Sequence, residues 1–192
     1  MATYVNDLRL KEISTGDESG TWGTSTNTNL ELVAEGFARG TKDCFSSDAD
    51  ATETMADGAT DEIRKLYLKV TSSATLSATR TLTLGPNTVS KVWIIENSTS
   101  GSQAINISQG SGANVQIPNG AVKVVATDGA GSGAAVYDLS LVDLTGTQTL
   151  TNKSIDSDNN TITNIVNADI KSAAAIDAAK IANGSVSSAE FQ

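Results

Sequence analysis

Histidine is absent from this chain of 192 residues, and cysteine occurs once, at Cys44. Histidine is the usual general base and the commonest metal ligand, so its absence argues against Ser/His/Asp, Cys/His and zinc-hydrolase chemistry. A single cysteine cannot form a disulfide within one chain. We therefore expect that the chain is not an enzyme and holds no metal and no cofactor.

Aromatic residues and basic residues are also scarce. Aromatic side chains make up 4% of the chain, and 22 acidic residues against 13 basic ones give a net charge of −9. Such a charge repels phosphate backbones and anionic lipid surfaces. No apolar run reaches the length of a signal-peptide core or a membrane span. We expect neither nucleic-acid binding nor membrane insertion.

Residues 1–40 contain one predicted helix. The run NLELVAEGFARG has apolar residues at i, i+3, i+4 and i+7, which is the spacing of an amphipathic stripe. The stripe consists of Leu30, Val33, Ala34 and Phe37.

The ends of this helix are also predicted from residue type. Asn27 or Asn29 is the expected N-cap, and Arg39 with Gly40 ends the helix. A helix of about three turns has no core of its own. The stripe and the nearby Trp22 must therefore dock on another surface, and the alternative to a partner is the β module of the same chain.

Residues 41–62 are rich in acid. Seven Asp and Glu residues lie among small side chains in TKDCFSSDADATETMADGATDE. This composition predicts a solvated linker or a long loop. Calcium binding is disfavoured, because no liganding spacing repeats.

Residues 63–142 alternate apolar and polar side chains with a period of two. Gly, Ser, Asn and Pro separate the runs, and no helix pattern intervenes, so we predict an antiparallel sandwich or small barrel. Leu66, Leu68, Trp93, Ile95 and Val124 are expected to share its core, with Trp93 as the anchor. The seven runs are KLYLKV, TLSATRTLTL, KVWIIENS, QAINIS, NVQIP, AVKVVAT and AAVYDLSLV.

Residues 143–192 have a different period. Their branched apolar residues follow one another at steps of 5, 6, 5 and 5, which fits neither a helix nor a strand. Such steps suit a repeat that sends one side chain at a time to a common axis shared by several chains. Three chains are preferred and two are the alternative, while KSAAAIDAAKIA could form a short helix. The predicted axis residues are Ile165, Ile170, Ile176, Ile181 and Val186.

Two motifs match ligand loops only in part. DGAGSG has the glycines of a phosphate loop at the wrong spacing, and a predicted strand follows it. IDSDNNT places Asp156, Asp158 and Asn160 at calcium-loop positions 1, 3 and 5, but Thr161 and Asn167 stand where Gly and an acid are needed. A turn closed by Asx hydrogen bonds explains the second motif better.

Three segments resemble parts of bacteriophage tail-fibre proteins. GDESGTWGTSTNTNLELVAEGF looks like the opening of such fibres, with a Trp-Gly pair, a Thr/Asn run and a short helix. KVWIIENSTSGSQAINISQGSGANVQIPNGAVKVVATDGAG is similar to a β-rich module of marine phage fibres. LTGTQTLTNKSIDSDNNTITNI and NADIKSAAAIDAAKIANGSV resemble the repeat phrases of fibre shafts. The segments span most of the chain, in the order from attachment end to shaft.

This resemblance implies a structural protein of the virion tail, made in the cytoplasm of the host bacterium. It implies a homotrimer whose residues 1–40 dock on an adaptor, nozzle or baseplate protein and whose C-terminal continuation binds a host surface receptor. The docking residues would be Trp22, Leu30, Val33 and Phe37, and residues 143–192 would begin the intertwined shaft. Shaft phrases usually run on, so we expect SSAEFQ to interrupt one.

Two other functions stay open at this point. The chain could be the N-terminal anchor of a tailspike-type polysaccharide depolymerase, with its catalytic carboxylates beyond Gln192. It could also contain a carbohydrate-binding β module. Aromatic side chains exposed on the loops after Trp93 and around Tyr137 would favour that second alternative, and burial of both residues would disfavour it.

Overall fold

The computed structural model describes residues 3–139, 154–156, 159 and 161. The chain divides into two compact units, Met1–Gly146 and Thr147–Gln192, and the following fold is that of the first unit. Its described elements are α1 (Trp22–Gly36), β1 (Arg39–Phe45), β2 (Ala51–Thr54), β3 (Tyr67–Ser72), β4 (Arg80–Gly85), β5 (Val92–Asn97), β6 (Ile105–Ser108), β7 (Val115–Ile117), β8 (Val122–Thr127), a short 3-10 helix (Gly131–Gly133) and β9 (Val136–Asp138).

The strands form two mixed sheets, and the chain passes repeatedly from one to the other. The five-stranded sheet has the order β1-β3-β5-β8-β9, and the four-stranded sheet has the order β2-β4-β6-β7. Strands β1, β3 and β5 run parallel, as do β2, β4 and β6. The chain thus winds through three turns resembling those of a solenoid. Strands β7, β8 and β9 then add antiparallel pairs.

The prediction of a mainly β fold is confirmed, and each of the seven period-two runs contains a strand, β3 to β9. The prediction of an antiparallel sandwich or barrel for residues 63–142 is wrong in part, because β3 pairs with β5 and β4 pairs with β6 in parallel, and the described sheets do not close into a barrel. Arg39 aligns with Tyr67, and Tyr67 aligns with Ile94. Between β1 and β3, and again between β3 and β5, the chain passes through a strand of the other sheet. It can therefore return to the first sheet in the same direction, which a hairpin connection cannot do.

The core lies between the two sheets and follows the period-two pattern. Trp93 is 1% exposed, and its indole Nε1 donates a hydrogen bond of 2.8 Å to the Ile63 carbonyl oxygen. Other buried pairs, one from each of several strands, are Leu68 with Val70, Leu82 with Leu84, Ile105 with Ile107 and Val115 with Ile117.

The predicted core residues divide into two groups. Burial of Leu68, Trp93 and Ile95 is confirmed. Leu66 and Val124 are only partly buried. In β8 it is Val125, the partner of Trp93, that turns inward, whereas Val124 lies beside Ile94 on the outer side of the sheet.

Residues 41–62 are not a separate linker. They contain most of β1 and all of β2, and they bury Cys44, Phe45 and Met55. Asp48 accepts a hydrogen bond of 2.8 Å from Arg80 Nε. Hydrogen bonds from Arg80 and then Ser77 lower the pKa of Asp48 below its usual value. Asp48, an acidic residue of this segment, is therefore hydrogen-bonded to residues elsewhere in the fold.

Helix α1 begins earlier than the capping residues predicted. It starts at Trp22, after Thr21, which makes no capping hydrogen bond through its side chain, and it ends at Gly36. Asn29 does not cap the helix. Its side chain accepts from the Lys11 N–H at 3.0 Å and donates to the Lys11 carbonyl at 2.8 Å, which fixes the N-terminal segment on the helix. In the described part of the chain no helix is long and apolar enough to cross a membrane.

Candidate functional site

The predicted docking residues of α1 are mostly exposed to solvent. Trp22 is 63% exposed, Leu30 62% and Phe37 74%, while Val33 is partly buried. At 100° per residue these four positions lie within about 80° of arc. The structure therefore brings all four predicted docking residues onto one side of the helix, here called the apolar helix face.

A different side of the helix packs against the module. Leu32 is 3% exposed, and Gly36 is buried. A Cβ atom on Gly36 would lie 3.2 Å from Leu8 Cδ2, so the glycine lets Leu8 approach the helix closely. The packed side thus holds the helix without using the residues of the apolar helix face.

Arg64 fixes this arrangement. Its side chain is fully buried, although arginine is rarely buried unless it is paired. The guanidinium joins the N-terminal segment, the helix and the loop after β2. Its partners are the carbonyl oxygens of Leu8 (2.9 Å), Ala59 (2.7 Å) and Ala56 (2.6 Å) and the carboxylates of Glu35 (3.0 Å) and Asp61 (3.0 Å).

Glu35 is the helix residue in this cluster. Burial acts to raise the pKa of its carboxyl, but hydrogen bonds from Thr60, Arg64 and the Asp61 N–H outweigh burial and lower the pKa below its usual value. The carboxylate is therefore held in its charged form, as the pairing with Arg64 requires.

A groove of about 200 Å³ lies at the C-terminal end of α1, and Phe37 forms part of it. Its walls come from the N-terminal segment, the helix end and the starts of β3 and β5. Asp7 secures one wall, since its Oδ1 accepts a hydrogen bond of 2.7 Å from the Ser90 N–H. The lining residues of this helix-end groove are Leu8, Gly36, Phe37, Leu66, Lys91 and Val92.

Lys91 lines the helix-end groove with its hydrocarbon stem, and the lining of the groove is almost entirely apolar. Its Nζ lies 4.5 Å from the centroid of the Trp93 ring and 3.2 Å from the Val92 carbonyl oxygen. Burial lowers the pKa of Lys91 to about 8, with Asp61 opposing the shift and Arg64 adding to it. The ammonium therefore loses its proton much closer to neutral pH than an exposed lysine would.

Sequence reasoning missed Arg64 and Lys91. Arg64 lies in DEIRK, where alternating charge is typical of a solvated surface. Lys91 directly precedes the most apolar strand, but a lysine before a strand is common and predicts no groove. Neither residue carries a local signal, because each gains its role from segments far away in the chain.

The other sequence-based candidates are a carbohydrate-binding module, a phosphate loop, a metal site and the axis residues of the shaft. Trp93 is buried and Tyr137 is 51% exposed, so the aromatic criterion for a carbohydrate-binding module is met at one position and not at the other. Asp128, which opens DGAGSG, accepts hydrogen bonds from the N–H groups of Ala130 (3.1 Å) and Ala135 (3.0 Å), as in a closed turn. Among the described residues no group of three or more His, Cys, Asp or Glu could hold a metal ion. The predicted axis residues Ile165, Ile170, Ile176, Ile181 and Val186 lie outside the described residues.

Comparison with known proteins adds no relative. The chain matches no protein-family model, and neither a curated protein nor a solved structure matches it.

Proposed function

We propose that this chain is the N-terminal part of a trimeric bacteriophage tail fibre, a structural and not a catalytic protein. Residues 1–40 attach it to the tail, and a C-terminal continuation binds the host surface. The observation that supports the proposal is the apolar helix face. Trp22, Leu30 and Phe37 are each more than 60% exposed, and the opposite contacts of the helix, through Asn29 and Glu35, hold it on the module.

Such a face has the properties of a binding surface. Large exposed apolar side chains that cluster on one side of a helix are typical of protein interfaces, and aromatic residues dominate the binding energy there. Because Arg64 and Asn29 fix the helix to the module, docking would cost little ordering entropy.

The attachment is best tested with point variants. Removing residues 2–40 would take the Leu8 carbonyl and Glu35 away from Arg64 and would cut into β1. A buried charge left without partners destabilises a protein strongly, so a deletion would confuse unfolding with lost attachment. Substitutions on the apolar helix face avoid this difficulty.

The test compares Leu30→Ser/Phe37→Ser with the control Val122→Ser. Val122 is 49% exposed but lies on β8, away from the helix. Purified fibre is mixed with tail particles that lack it, and bound fibre is counted after sedimentation. The double variant should lose most of its incorporation, and the control should keep it. Normal incorporation of the double variant would overturn the assignment of residues 1–40.

Trimerisation needs a separate experiment. Replacing Ile170 and Ile176 by Asp would put unpaired charges on the expected axis, at a cost of several kcal/mol in each chain. Sedimentation equilibrium should show a trimer for the parent and a monomer or aggregate for the double variant. A variant that stays trimeric and equally heat-resistant would remove these isoleucines from the axis.

A further inference from the structure

A second exposed apolar surface lies on the outer face of the five-stranded sheet, on the side away from the core. Side chains of β5 and β8 alternate, so that Trp93 and Val125 turn inward while Ile94 and Val124 turn outward. Two neighbouring rows of cross-strand partners are apolar on this outer face. The residues of this sheet patch are Val92, Ala126 and Tyr137 in one row and Ile94, Val124 and Leu139 in the other.

The sheet patch exposes large side chains that lie next to one another. Val92 is 41% exposed, Leu139 48% and Tyr137 51%. Ile94 and Val124 are partly buried between them. Single apolar residues are ordinary on a protein surface, but a contiguous group of them marks an interaction site. The sheet patch is therefore a candidate interface that is separate from the apolar helix face.

A charged network borders the sheet patch on the same face. Glu96 follows Ile94 by two residues in β5, and it accepts hydrogen bonds from Lys69 Nζ (2.8 Å) and from the Tyr67 hydroxyl (2.7 Å). Hydrogen bonds from Lys69 and then Tyr67 lower the pKa of Glu96 below its usual value, which keeps its carboxylate charged. An apolar centre with a polar rim is the usual layout of an interface between proteins.

The place where the described module ends argues for one particular occupant. Leu139 belongs to the sheet patch, since its N–H donates a hydrogen bond of 2.8 Å to the Val124 carbonyl oxygen and extends the pairing of β9 with β8. The proposed shaft begins at residue 143, and four residues of extended chain span at most about 14 Å. In a trimer whose shafts share one axis, Leu139 of each chain must therefore lie close to the start of that axis, beside the other copies.

We propose that the sheet patch packs against the same region of a second copy of this chain, so that the β module adds an interface to the one formed by the shaft. This inference rests on the proposed function, because the axis is that of the proposed trimer. Around a three-fold axis each copy meets two equivalent neighbours, so a single patch on each chain closes the ring. The apolar helix face stays available for the tail protein.

The first test uses cysteine as a marker of proximity. The natural Cys44 is buried, and burial raises the pKa of its thiol to about 12, so it reacts slowly with maleimides. Full-length chains with Leu139→Cys or the control Gln116→Cys are treated with a short bis-maleimide and separated on a denaturing gel. Gln116 is exposed on β7, in the other sheet. Leu139→Cys should link up to about two thirds of the chains, because one linker joins two chains of a trimer, and Gln116→Cys should link few.

The second test measures how much the contact contributes to association. Tyr137→Ser/Leu139→Ser removes two apolar side chains from the sheet patch, and Gln116→Ser is the control. Val92 is left unchanged because it also lines the helix-end groove. Sedimentation equilibrium of the dilute full chain should show trimer dissociation at least about tenfold stronger for the double variant and unchanged for the control. Circular dichroism confirms that each variant keeps the fold.

The outcomes separate this inference from the proposed function. If the parent is a trimer and Leu139→Cys links no more chains than Gln116→Cys, the inference is overturned and the trimer stands. If Tyr137→Ser/Leu139→Ser stays trimeric but no longer joins tail particles, a tail protein covers the sheet patch and the inference is again overturned. A monomeric parent would overturn the proposed trimer together with the inference. The incorporation test on the apolar helix face is independent of all three results.

Discussion

The packed and exposed sides of α1 each carry a leucine, yet the module uses the two in opposite ways. Leu32 on the packed side is 3% exposed, and Leu30, two residues before it, is 62% exposed. Glu35 and Asn29 are tied to Arg64 and Lys11, whereas the apolar helix face has large side chains in solvent. The same residue type thus stabilises the fold at one position and is available for binding at the other.

This difference shows how a short helix can keep large apolar side chains exposed although it has no core of its own. Partly buried hydrogen bonds and one ion-pair cluster hold the helix in place, so the exposed apolar side chains are not needed for that contact. The two sides should then respond separately to mutation, with stability lost on one side and attachment lost on the other.

The largest effect is expected at Arg64. Arg64→Met leaves the partly buried carboxylates of Glu35 and Asp61 without their cation, and it should lower the free energy of unfolding by about 3 kcal/mol. Arg9→Met, which removes the half-exposed pair with Asp57 at 2.7 Å, should cost no more than about 1 kcal/mol. Urea unfolding of the full chain checks both values. Equal effects would mean that Arg64 does not fix the helix.

The next comparison uses two leucines on one helix. Leu32→Ala should lower the free energy of unfolding by about 2–3 kcal/mol, because it empties a buried site. Leu30→Ala should change it by less than about 0.5 kcal/mol, since its side chain is already in water. Thermal unfolding followed by circular dichroism measures both. A larger loss for Leu30 than for Leu32 would reverse the assignment of the two sides.

A smaller effect should appear on acidification. The pKa of Glu35 is lowered in the folded protein, so its contribution to stability is present above its unfolded pKa and is lost as the pH falls through the folded value. We expect the free energy of unfolding of the parent to decline below about pH 4.5, and part of that decline to come from Glu35. Glu35→Gln should show a shallower decline in urea midpoints between pH 5 and pH 3. Parallel curves for the two proteins would contradict this role.

The smallest effect on stability is expected at Phe37, which is 74% exposed. Phe37→Ser should change the free energy of unfolding by no more than about 0.5 kcal/mol, although we expect it to weaken attachment. Differential scanning calorimetry gives the first quantity and particle sedimentation gives the second. A stability loss above 2 kcal/mol would show that Phe37 belongs to the core.

The sequence predicts those parts of the fold that depend on local patterns. Alternation of apolar residues identified all seven strands from β3 to β9, because side-chain direction in a strand repeats every two residues. It did not identify β1 and β2, since RGTKDCF and ATET lack that alternation. It also could not give strand direction, because the parallel partners are separated by a strand of the opposite sheet.

The candidate site likewise has one part that the sequence predicts and one part that it does not. The helical period predicted Leu30, Val33, Ala34 and Phe37 as one stripe, and it did not include Trp22, which the longer helix of the structure adds. The period could not tell which side of the helix packs. That choice depends on Arg64, whose partners Leu8 and Glu35 are 56 and 29 residues away in the chain. A helix start inferred from Asn27 or Asn29 was wrong, because the side chain of Asn29 is engaged by Lys11.

The winding of the chain between two sheets also determines how the module can be made. Parallel pairing of β1 with β3, and of β3 with β5, requires residues that leave the ribosome far apart in time. Each turn of the winding must wait for the next one to be synthesised, and β5 is paired on both sides only when β8 has emerged. A topology with so many non-local contacts folds in milliseconds to seconds, much more slowly than a helical bundle. During synthesis the unfinished sheet edge stays open to other nascent copies of the chain, so chaperone capture at this stage would favour a high yield of folded protein.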